Sequence, residues 1–471
     1  MIEKLISSIS PKWAARRSAW RNVKASYEGA MPTRTRSLSG TSASPNALTR
    51  QSAVALRNEA RHLERNYDLA RGALDVLVAN IVGTGIRPEP QIRLANGEIA
   101  NEINEQIVEL WEDWGRKPEV TWTHDIYSAQ RIACRSWLRD GEIFSQMIQG
   151  RLVSLDHGTR VPFSIELIES DWVPYSVPEA GVNQGIALNE WGRAIAYFVH
   201  KYHPDEFRMQ GDLKRVSAER MIHVALRDRV RQLRGVSLFA SVLNRISDLK
   251  DIEESERVAA RVAAAMTAYI KKGDPAGYGV DGRTDATDPS NYREIEMEPG
   301  LIFDDLRQGE DVGVIASQRP NNALIPFRDS MMRAFAAGAG ASYSSLAKDY
   351  NGTYSAQRQE LVEQHQHYGV LHSQFVSQFH RPTYERFVDV ALSQIDTREI
   401  DLNTVYNASH SRPAMPWVDP VKEANGLKLM REQGWKSDSQ IVRERGYSFR
   451  EVTDQIKRDE QIKGTRNENG E

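Results

Sequence analysis

The apolar residues between positions 54 and 138 recur every three or four positions, which is the spacing of amphipathic helices. The first such stretch runs from Val54 to Ile81, and we expect an interruption near Asn66. The second is marked by Ile103, Ile107, Leu110, Trp111 and Trp114. A third runs from Ile126 to about Leu138, with Asp125 as its candidate N-cap. Three helices are therefore predicted between residues 54 and 138.

The pattern changes from Ile143 to Val224, where short apolar runs alternate with Gly, Pro, Asp and Asn. The runs IFSQMI, FSIELIE and AIAYFVH have the length and composition of strands, and the residues between them favour turns. This region predicts strands joined in hairpins. Together with the helices on either side, it places the chain in the α+β class, with helices in the majority.

The stretch from Val236 to Lys271 contains 36 residues without Pro or Gly and would be about 54 Å long as one helix. Its first half carries an apolar stripe that we predict to be a packed face: Phe239, Val242, Leu243, Ile246 and Leu249. Its middle is too charged for burial in a core. We therefore expect this helix to need packing partners from outside its own domain.

The remaining segments alternate loops and helices. Residues 28–50 are rich in Ser, Thr, Pro, Gly and Arg and predict a flexible connector. Residues 316–330 contain two prolines and predict a loop, whereas 331–346 and 357–394 predict helices, the second marked by a proline near its middle. Residues 401–471 predict short helices that end in a charged tail.

The composition is that of a folded protein, with 471 residues, 27% charged and 40% hydrophobic. The sequence contains no run of about 18 apolar residues, so we expect no membrane span. The N-terminus lacks the apolar core of a secretory signal, which predicts a soluble intracellular product. Cys134 is the single cysteine, which excludes an internal disulfide and every zinc site that needs two thiolates.

Positive charge is concentrated at the start of the chain. Residues 1–65 carry 12 Lys or Arg and 4 Asp or Glu, although the whole chain has a net charge of −3. A basic arm can bind phosphate or an acidic partner, and it can equally be a solvated, disordered segment. The acidic remainder disfavours a body that grips duplex DNA tightly, because such binding needs many Lys and Arg side chains.

Catalytic signals are weak throughout. The chain has no GxxxxGK[ST] loop and no HExxH motif. The densest histidine group is His365, His367, His372 and His380. Without a completing carboxylate or Cys, this group favours a packed or solvated helix face over a metal site. The cluster of Trp111, Trp114, Trp122 and Trp137 favours core packing over base stacking. We therefore predict no enzyme, no metal and no cofactor.

Eight segments, together with the pair Trp111 and Trp114, carry a further signal through their order: Glu64–Pro88, Arg131–Phe144, Glu166–Val173, Ala194–Pro204, Arg220–Leu243, Glu298–Glu310, Lys348–Arg358 and Trp417–Ala424. In this order they resemble the lambda-like family of bacteriophage portal proteins. Each segment is a weak signal alone, but eight in sequence are specific. One departure falls within Lys348–Arg358, where the family would have a second Ser after Ser355.

The resemblance implies a structural, non-catalytic protein of the virion that assembles in the bacterial cytoplasm. Such subunits form a dodecameric ring at one vertex of the capsid, around a channel for packaging and ejecting duplex DNA. The implied partners are further copies of the chain, duplex DNA, the terminase, the major capsid and scaffold proteins, and the head-completion and tail-adaptor proteins. Two alternatives stay open: a non-catalytic DNA-binding protein that uses its basic arm, and a hydrolase built on the histidine group.

The resemblance also implies a portal fold with a wing, long stem helices, a small β-containing clip and a C-terminal helical crown. The corresponding segments are 1–54 as the basic arm and connector, 55–173 as the wing, 174–235 as the candidate clip, 236–271 as the long stem helix, 272–400 as the continuation of the wing, and 401–471 as the crown and tail. We predict a tunnel loop at 316–330. Its candidate DNA contacts are Gln318, Arg319, Asn321, Asn322 and Arg328.

Overall fold

The computed structural model describes residues 43–206, 213–265, 269–272, 310–313, 323–417 and 419–468. Helices dominate and surround short antiparallel sheets, which confirms the predicted α+β, mostly helical fold class. Within the described residues, no helix combines the length and the apolar character that a bilayer crossing requires.

The chain enters the fold through two consecutive helices, α1 (Pro45–Asn66) and α2 (Asp68–Ile81). Tyr67 between them has an extended backbone, with φ −142° and ψ 119°, so the predicted interruption near Asn66 is confirmed. The hydroxyl of Ser44 accepts a hydrogen bond from the N–H of Ala47 and caps α1. The cap and the proline that follows it start the helix at position 45. The predicted connector to residue 50 and arm to residue 54 therefore end too late.

The next helices also follow the apolar pattern. A short strand, β1 (Pro88–Pro90), precedes α3 (Asn101–Gly115) and α4 (Ile126–Asp140). The carboxylate of Asp125 accepts a hydrogen bond from the N–H of Ser128, which confirms the predicted N-cap of α4. The end of α4 is set by a glycine in the left-handed region of backbone space.

Two antiparallel sheets follow. The first contains β2 (Glu142–Gln149), β3 (Phe163–Ile168) and β8 (Met221–Ala225) in the order β3–β2–β8. The second contains, in chain order, β4 (Val182–Asn183), β5 (Ile186–Leu188), β6 (Ala194–His200) and β7 (Leu213–Ser217). The three apolar runs that predicted strands are β2, β3 and β6, so these predictions are confirmed.

The strands within residues 174–235 do not stand apart from the body. Strand β8 pairs with β2, which lies in the predicted wing. The four-stranded sheet shares a hydrophobic cluster with the three-stranded one: Phe144, Ile168, Val173, Ile186, Tyr197, Val199, Val216 and Met221. Residues from both sheets are buried together in this cluster, so 174–235 packs directly against the predicted wing.

The predicted helix over 236–271 is shorter than expected at both ends. Helix α5 spans Leu243–Ala265, after a short 3-10 turn at Leu238–Ser241. The hydroxyl of Ser237 accepts a hydrogen bond from the N–H of Phe239, which stabilises this tighter turn at the expense of a regular helix. Beyond α5, β9 (Tyr269–Lys272) pairs with β10 (Glu310–Gly313). Tyr269, Ile270 and Val312 are of the aromatic and β-branched types that favour strands.

The second helical region begins earlier than predicted. Helix α6 spans Leu324–Ala339, so residues 324–330 of the predicted loop are helical. The proline at position 326 is tolerated because the first backbone N–H groups of a helix have no partner within it. Next come α7 (Tyr343–Ala347), α8 (Tyr354–Phe375), a π-helical turn at Val376–His380, and α9 (Arg381–Ala391).

The C-terminal part is helical, as predicted for residues 401–471. Strand β11 (Ala408–His410) pairs with β1 and so returns the chain to the segment predicted as the wing. It precedes α10 (Pro420–Glu432), α11 (Asp438–Glu444) and α12 (Phe449–Glu468). Neither α10 nor α11 contains a fully buried residue. This region therefore rests on the body through surface contacts.

The aromatic cluster lies mostly in the largest hydrophobic core. Trp111, Trp114 and Trp137 are almost completely buried there, so packing is confirmed for these three. Trp122 is the exception, because it lies in a loop with 42% of its surface exposed and with Lys117 above its ring at 4.4 Å. Its assignment to the core was wrong.

Candidate functional site

Several segments that carry the family resemblance converge on one buried cluster of charges between α1, α4 and the three-stranded sheet. We call this cluster the ionic junction. Its members are Arg57, Arg61, Glu64, Arg135, Arg139, Asp140, Glu142, Ser170, Asp171, His223 and Arg234. Residues far apart in the sequence are thus joined by charge-assisted hydrogen bonds, which are the stronger kind.

The carboxylate of Glu142 is the centre of the junction, and the residue is only 1% exposed. Its Oε1 accepts from Ser170 Oγ at 2.6 Å and from Arg234 Nε at 2.7 Å. Its Oε2 accepts from His223 Nε2 and from the backbone N–H of Gly235, both at 3.0 Å. Burial alone would raise the pKa of Glu142, but the charge of Arg234 and these hydrogen bonds lower it well below its usual range. The carboxylate therefore stays ionised.

Arg234 is completely buried, and each of its guanidinium nitrogens has a partner. Besides the bond to the central carboxylate, Nη1 donates to the carbonyls of Val173 and Gln184 at 3.1 and 2.9 Å. Nη2 donates to the carbonyl and the hydroxyl of Ser170 at 3.2 and 3.0 Å. The guanidinium also lies 4.3 Å from the ring centre of Tyr175. This fully bonded arginine ties both sheets to one point.

A second buried carboxylate, that of Asp140 at the end of α4, binds one arginine of α1 and one of α4 itself. It accepts from Nε and Nη2 of Arg61 at 3.0 and 2.7 Å, and from the same atoms of Arg139 at 2.7 and 2.8 Å. Arg139 Nη1 also donates to Glu64 at 2.9 Å. Burial lowers the pKa of Arg139, but the bonds to Asp140 and Glu64 outweigh it and raise that pKa. These contacts fix α4 against α1.

Two glycines allow the backbones to meet beside the junction. Gly141 adopts φ +90°, in the left-handed region, and a Cβ atom on Gly235 would lie 2.0 Å from its carbonyl oxygen. A Cβ atom on Gly141 would in turn lie 2.3 Å from the carbonyl carbon of Val236. A side chain at either position would push apart the two segments that supply Glu142 and Arg234.

The junction is built to hold the fold together, because its charges are buried or half-buried and are bonded to one another. The ligand atoms of Glu169, Asp171 and His203 lie within 4.8 Å of one another, which is a spacing that metal sites use. Asp171, however, already bonds Arg57 and Arg61 at 2.8 Å each. The positive charge that a cation would bring is therefore already supplied by arginines, and the site does not suit a metal ion.

The five predicted stem-packing residues lie inside the core of the subunit. Phe239, Val242, Leu243, Ile246 and Leu249 are each at most 4% exposed and belong to the largest hydrophobic cluster. The second half of α5 is different, because Asp251 to Arg261 are exposed or half-buried and include Val258 at 48% exposure. The stripe therefore packs within the subunit and leaves only the outer half of α5 available to neighbours.

Helices α5 and α6 run antiparallel as a pair. Near the start of α5, Val242 is so close to Gly338 at the end of α6 that an added Cβ would lie 2.3 Å from its Cγ1. Further along, Arg328 in the second turn of α6 donates from Nε to Oε1 of Glu253 at 2.5 Å. The hydroxyl of Tyr67 donates to the other oxygen of Glu253 at 3.1 Å. This carboxylate joins α5 and α6 to the α1–α2 break.

Of the five candidate DNA contacts, the structure describes one. Gln318, Arg319, Asn321 and Asn322 lie outside the described residues. Arg328 is described, and its guanidinium is bonded to Glu253 within the subunit. The predicted group of five is thus represented here by one arginine, whose charge is balanced by its own chain.

In the structure, two histidines of the predicted group are packed inside the protein, and one of them contacts a backbone carbonyl. His372 Nδ1 lies 2.7 Å from the carbonyl oxygen of Ile81, and His380 is completely buried. Burial lowers the pKa of both imidazoles, so they are neutral at pH 7. Within the residues that the structure describes, no cluster of three metal-binding side chains includes either of them.

The most strongly coupled charges, Glu142 and Arg234, were not among the predicted site residues. Both lie in segments that carry the family resemblance. Glu142 directly precedes the apolar run IFSQMI, where an ionised side chain is unusual and indicates a buried partner. The identity of that partner, 92 positions away, follows only from the fold.

Comparison with known proteins identifies the family. The family model described as "Phage portal protein, lambda family" matches residues 31–371, which is more than half of the chain. The chain therefore belongs to the lambda family of phage portal proteins. It is a structural portal protein of a phage particle, and the α+β fold described above is a portal fold.

Individual relatives are distant in sequence. The chain is 23% identical over 424 residues to the "Probable portal protein" of Halomonas phage phiHAP-1, an alignment that covers 86% of this chain and 79% of the relative. Among solved structures it is similar to a chain of the "Neck of native GTA particle computed with C12 symmetry", at 12% identity and a TM-score of 0.41, covering 84% of this chain and 97% of the other. A chain from the "Virion of native gene transfer agent (GTA) particle" gives 12% identity and a TM-score of 0.42, covering 84% and 96%.

Proposed function

We propose that twelve copies of this chain form a ring at one vertex of the capsid, and that duplex DNA enters and leaves through the channel of that ring. The ring docks the terminase during packaging and the head-completion and tail-adaptor proteins afterwards, and the major capsid and scaffold proteins surround it. Assembly takes place in the host cytoplasm. Membership of the portal family supports this proposal, and the DNA-binding alternative based on the basic arm has no comparable support.

The structural observation that carries the proposal is the contrast along α5. The apolar stripe of its first half is buried in the subunit, while its second half has no buried residue between Asp251 and Arg261 and presents Val258 and a row of charges on an exposed face. A helix that leaves its own core in this way needs contacts from elsewhere, and a cyclic assembly supplies them through heterologous interfaces between neighbours. We therefore assign α5 and its partner α6 to the stem.

If α5 and α6 form the stem, the connection between them is a candidate for the clip. Because α5 and α6 are antiparallel, the connection between them leaves from the end opposite the Val242–Gly338 contact, and it includes the β9–β10 ladder. A β-containing segment at the tip of the stem fits a clip. The earlier candidate, 174–235, shares a hydrophobic cluster with the wing sheet, which fits a support of the wing better. We therefore favour the β9–β10 connection as the clip.

The segment that we assign to the channel wall is shorter than the loop predicted from the sequence. Residues 316–322 are assigned to the channel wall, and the phosphate contacts are assigned to Gln318, Arg319, Asn321 and Asn322. Arg328 takes another role, because its bond to Glu253 links the two stem helices. A channel lined by few cations suits sliding DNA, since strong phosphate neutralisation would hold the duplex in place.

The test of the proposal is negative-stain electron microscopy of the purified full chain, combined with its native mass. Twelve copies of the 53.3 kDa chain give about 640 kDa, and we expect perforated rings of that mass. A chain that stays monomeric or dimeric when concentrated, and that binds DNA with a steep salt dependence, would contradict the ring and favour the basic-arm alternative.

A further inference from the structure

Where β11 meets α9 and the π-helical turn before it, three neighbouring side chains each carry a buried polar atom with no hydrogen-bond partner among the described residues. These atoms are Nε2 of His380, the hydroxyl of Tyr384 and Nδ1 of His410. His380 and Tyr384 are completely buried. The His410 ring contacts both, with ring centres 4.9 Å from His380 and 6.1 Å from Tyr384. Buried polar atoms are almost always satisfied in folded proteins, so three together indicate a bound hydrogen-bonding ligand.

The hydrogen bonds of Gln130 fix the proton on His380. The Gln130 Oε1 atom accepts from the N–H of Ile86 at 2.7 Å, and Nε2 donates to the carbonyl of the same residue at 3.0 Å, so the amide orientation is determined. The same Nε2 lies 3.1 Å from Nδ1 of His380 and donates to it. Nδ1 of His380 therefore carries no proton, and the neutral ring holds its proton on Nε2.

The proton on Nε2 of His380 limits which kinds of ligand can bind. A protonated Nε2 cannot coordinate a metal ion, so the site does not suit a cation. The three neutral side chains offer no charge to balance an anion. The ligand must accept a hydrogen bond from His380, and it must be able to accept from or donate to Tyr384 and His410. Water meets all three requirements, because it has two lone pairs and two O–H groups.

We propose that His380, Tyr384 and His410 form an internal water site that holds one or two ordered molecules. Water can reach it because His410 also lines a cleft of about 1820 Å³ between the β1–α3 region and helices α10 to α12. The site joins α9 to β11, the strand that leads into the C-terminal helices. The bound water is therefore part of the attachment of the predicted crown to the wing.

The direct test is a density map of the assembled full chain at a resolution where ordered waters are visible elsewhere in the core. We expect one or two peaks within hydrogen-bonding distance of His380 Nε2, the Tyr384 hydroxyl and His410 Nδ1. An empty site in such a map would overturn the proposal. A peak that appears only in the presence of a particular buffer anion would also overturn it, because the ligand would then be that ion.

A second test uses the sign of a stability change. If water satisfies the Tyr384 hydroxyl, Tyr384→Phe removes a hydrogen bond and lowers the thermal midpoint, by about 1–2 °C. If the hydroxyl has no partner, the same change removes an unsatisfied group and the midpoint stays or rises. The matched control is Tyr368→Phe, whose hydroxyl accepts from the backbone N–H of Ser342 at 3.0 Å and whose loss should lower the midpoint. An unchanged or higher midpoint for Tyr384→Phe alone would contradict the proposal.

Discussion

The ionic junction and the outer half of α5 are both rich in charged residues, but the charges of the junction are bonded inside the subunit and those of α5 face outward. At the junction, the carboxylates of Glu142 and Asp140 are buried, and each accepts several hydrogen bonds. On the outer half of α5, Asp251, Glu254 and Arg257 lie on an exposed face. Charge density in the sequence therefore does not distinguish a structural centre from an assembly surface. The burial of the carboxylates and the number of their partners do.

The largest effect should come from breaking the junction at its most buried charge. Arg234→Ala leaves Glu142 ionised and buried without its main partner, which should cost about 3–5 kcal/mol of folding free energy. The measurement is chemical unfolding of the full chain. The matched control is Arg398→Ala, because the Arg398–Asp396 pair is largely exposed. Because water screens an exposed pair of this kind, its loss should change the stability little. Equal effects of the two variants would show that the junction does not hold the fold.

A smaller effect should come from the close contact between Gly338 of α6 and Val242 at the start of α5. Gly338→Ala places a methyl group 2.3 Å from Cγ1 of Val242, and such overpacking should cost about 1–3 kcal/mol. Gly426→Ala is the matched control in helix α10, because a Cβ there would meet nothing within 4 Å. Alanine is the better helix former, so the control should be neutral or stabilising. A neutral Gly338→Ala variant would mean that α5 and α6 are not closely packed there.

A further effect should appear as a dependence of stability on pH. Burial lowers the pKa of His223 to about 4, whereas in the unfolded chain it is near the ordinary value of about 6.5. Between these values the unfolded state binds the proton and the folded state does not, so stability falls as the pH is lowered through this window. His410 acts in the same direction, because burial lowers its pKa to about 4 as well.

The measurement is the free energy of unfolding at several pH values between 7 and 4, for the natural chain and for His223→Gln. Glutamine can still donate to Glu142 but does not titrate, so the variant should lose less stability on acidification. Identical pH profiles for the two proteins would contradict the assigned contribution of His223.

The helices and strands were largely predictable because they follow local rules. The break near Asn66, the cap at Asp125 and the strands β2, β3 and β6 all follow from spacing and turn residues. The errors arose where a local contact overrode a composition rule. The Ser44 cap started α1 inside the expected connector, and the Ser237 hydroxyl shortened the expected stem helix.

The candidate site was less predictable, because its chemistry depends on partners that are distant in the sequence. The motif segments indicated the family, but no spacing rule pairs Glu142 with Arg234 or Glu253 with Arg328. The sequence predicted a packed face for the apolar stripe at the start of α5. Whether it packed on its own subunit or on a neighbour could be decided only by the fold, which buries Ile246 and Leu249 internally.

That placement changes how the ring should be tested. Ile246→Asp or Leu249→Asp would damage the core of the subunit, so a loss of rings would follow from unfolding. Val258 is the better position, because it is exposed on the outer half of α5. Val153→Asp is a matched control, since Val153 is fully exposed in a loop between β2 and β3.

The most direct measurement is the native mass of Val258→Asp, with its thermal midpoint recorded alongside. We expect the midpoint to stay close to that of the natural chain, since exposed substitutions change stability by about 0.5 kcal/mol or less. We also expect the ring mass to be lost, because a carboxylate would then be placed in the contact between neighbours. Val153→Asp should keep the ring. Normal rings from Val258→Asp would contradict the claim that the outer half of α5 assembles the portal.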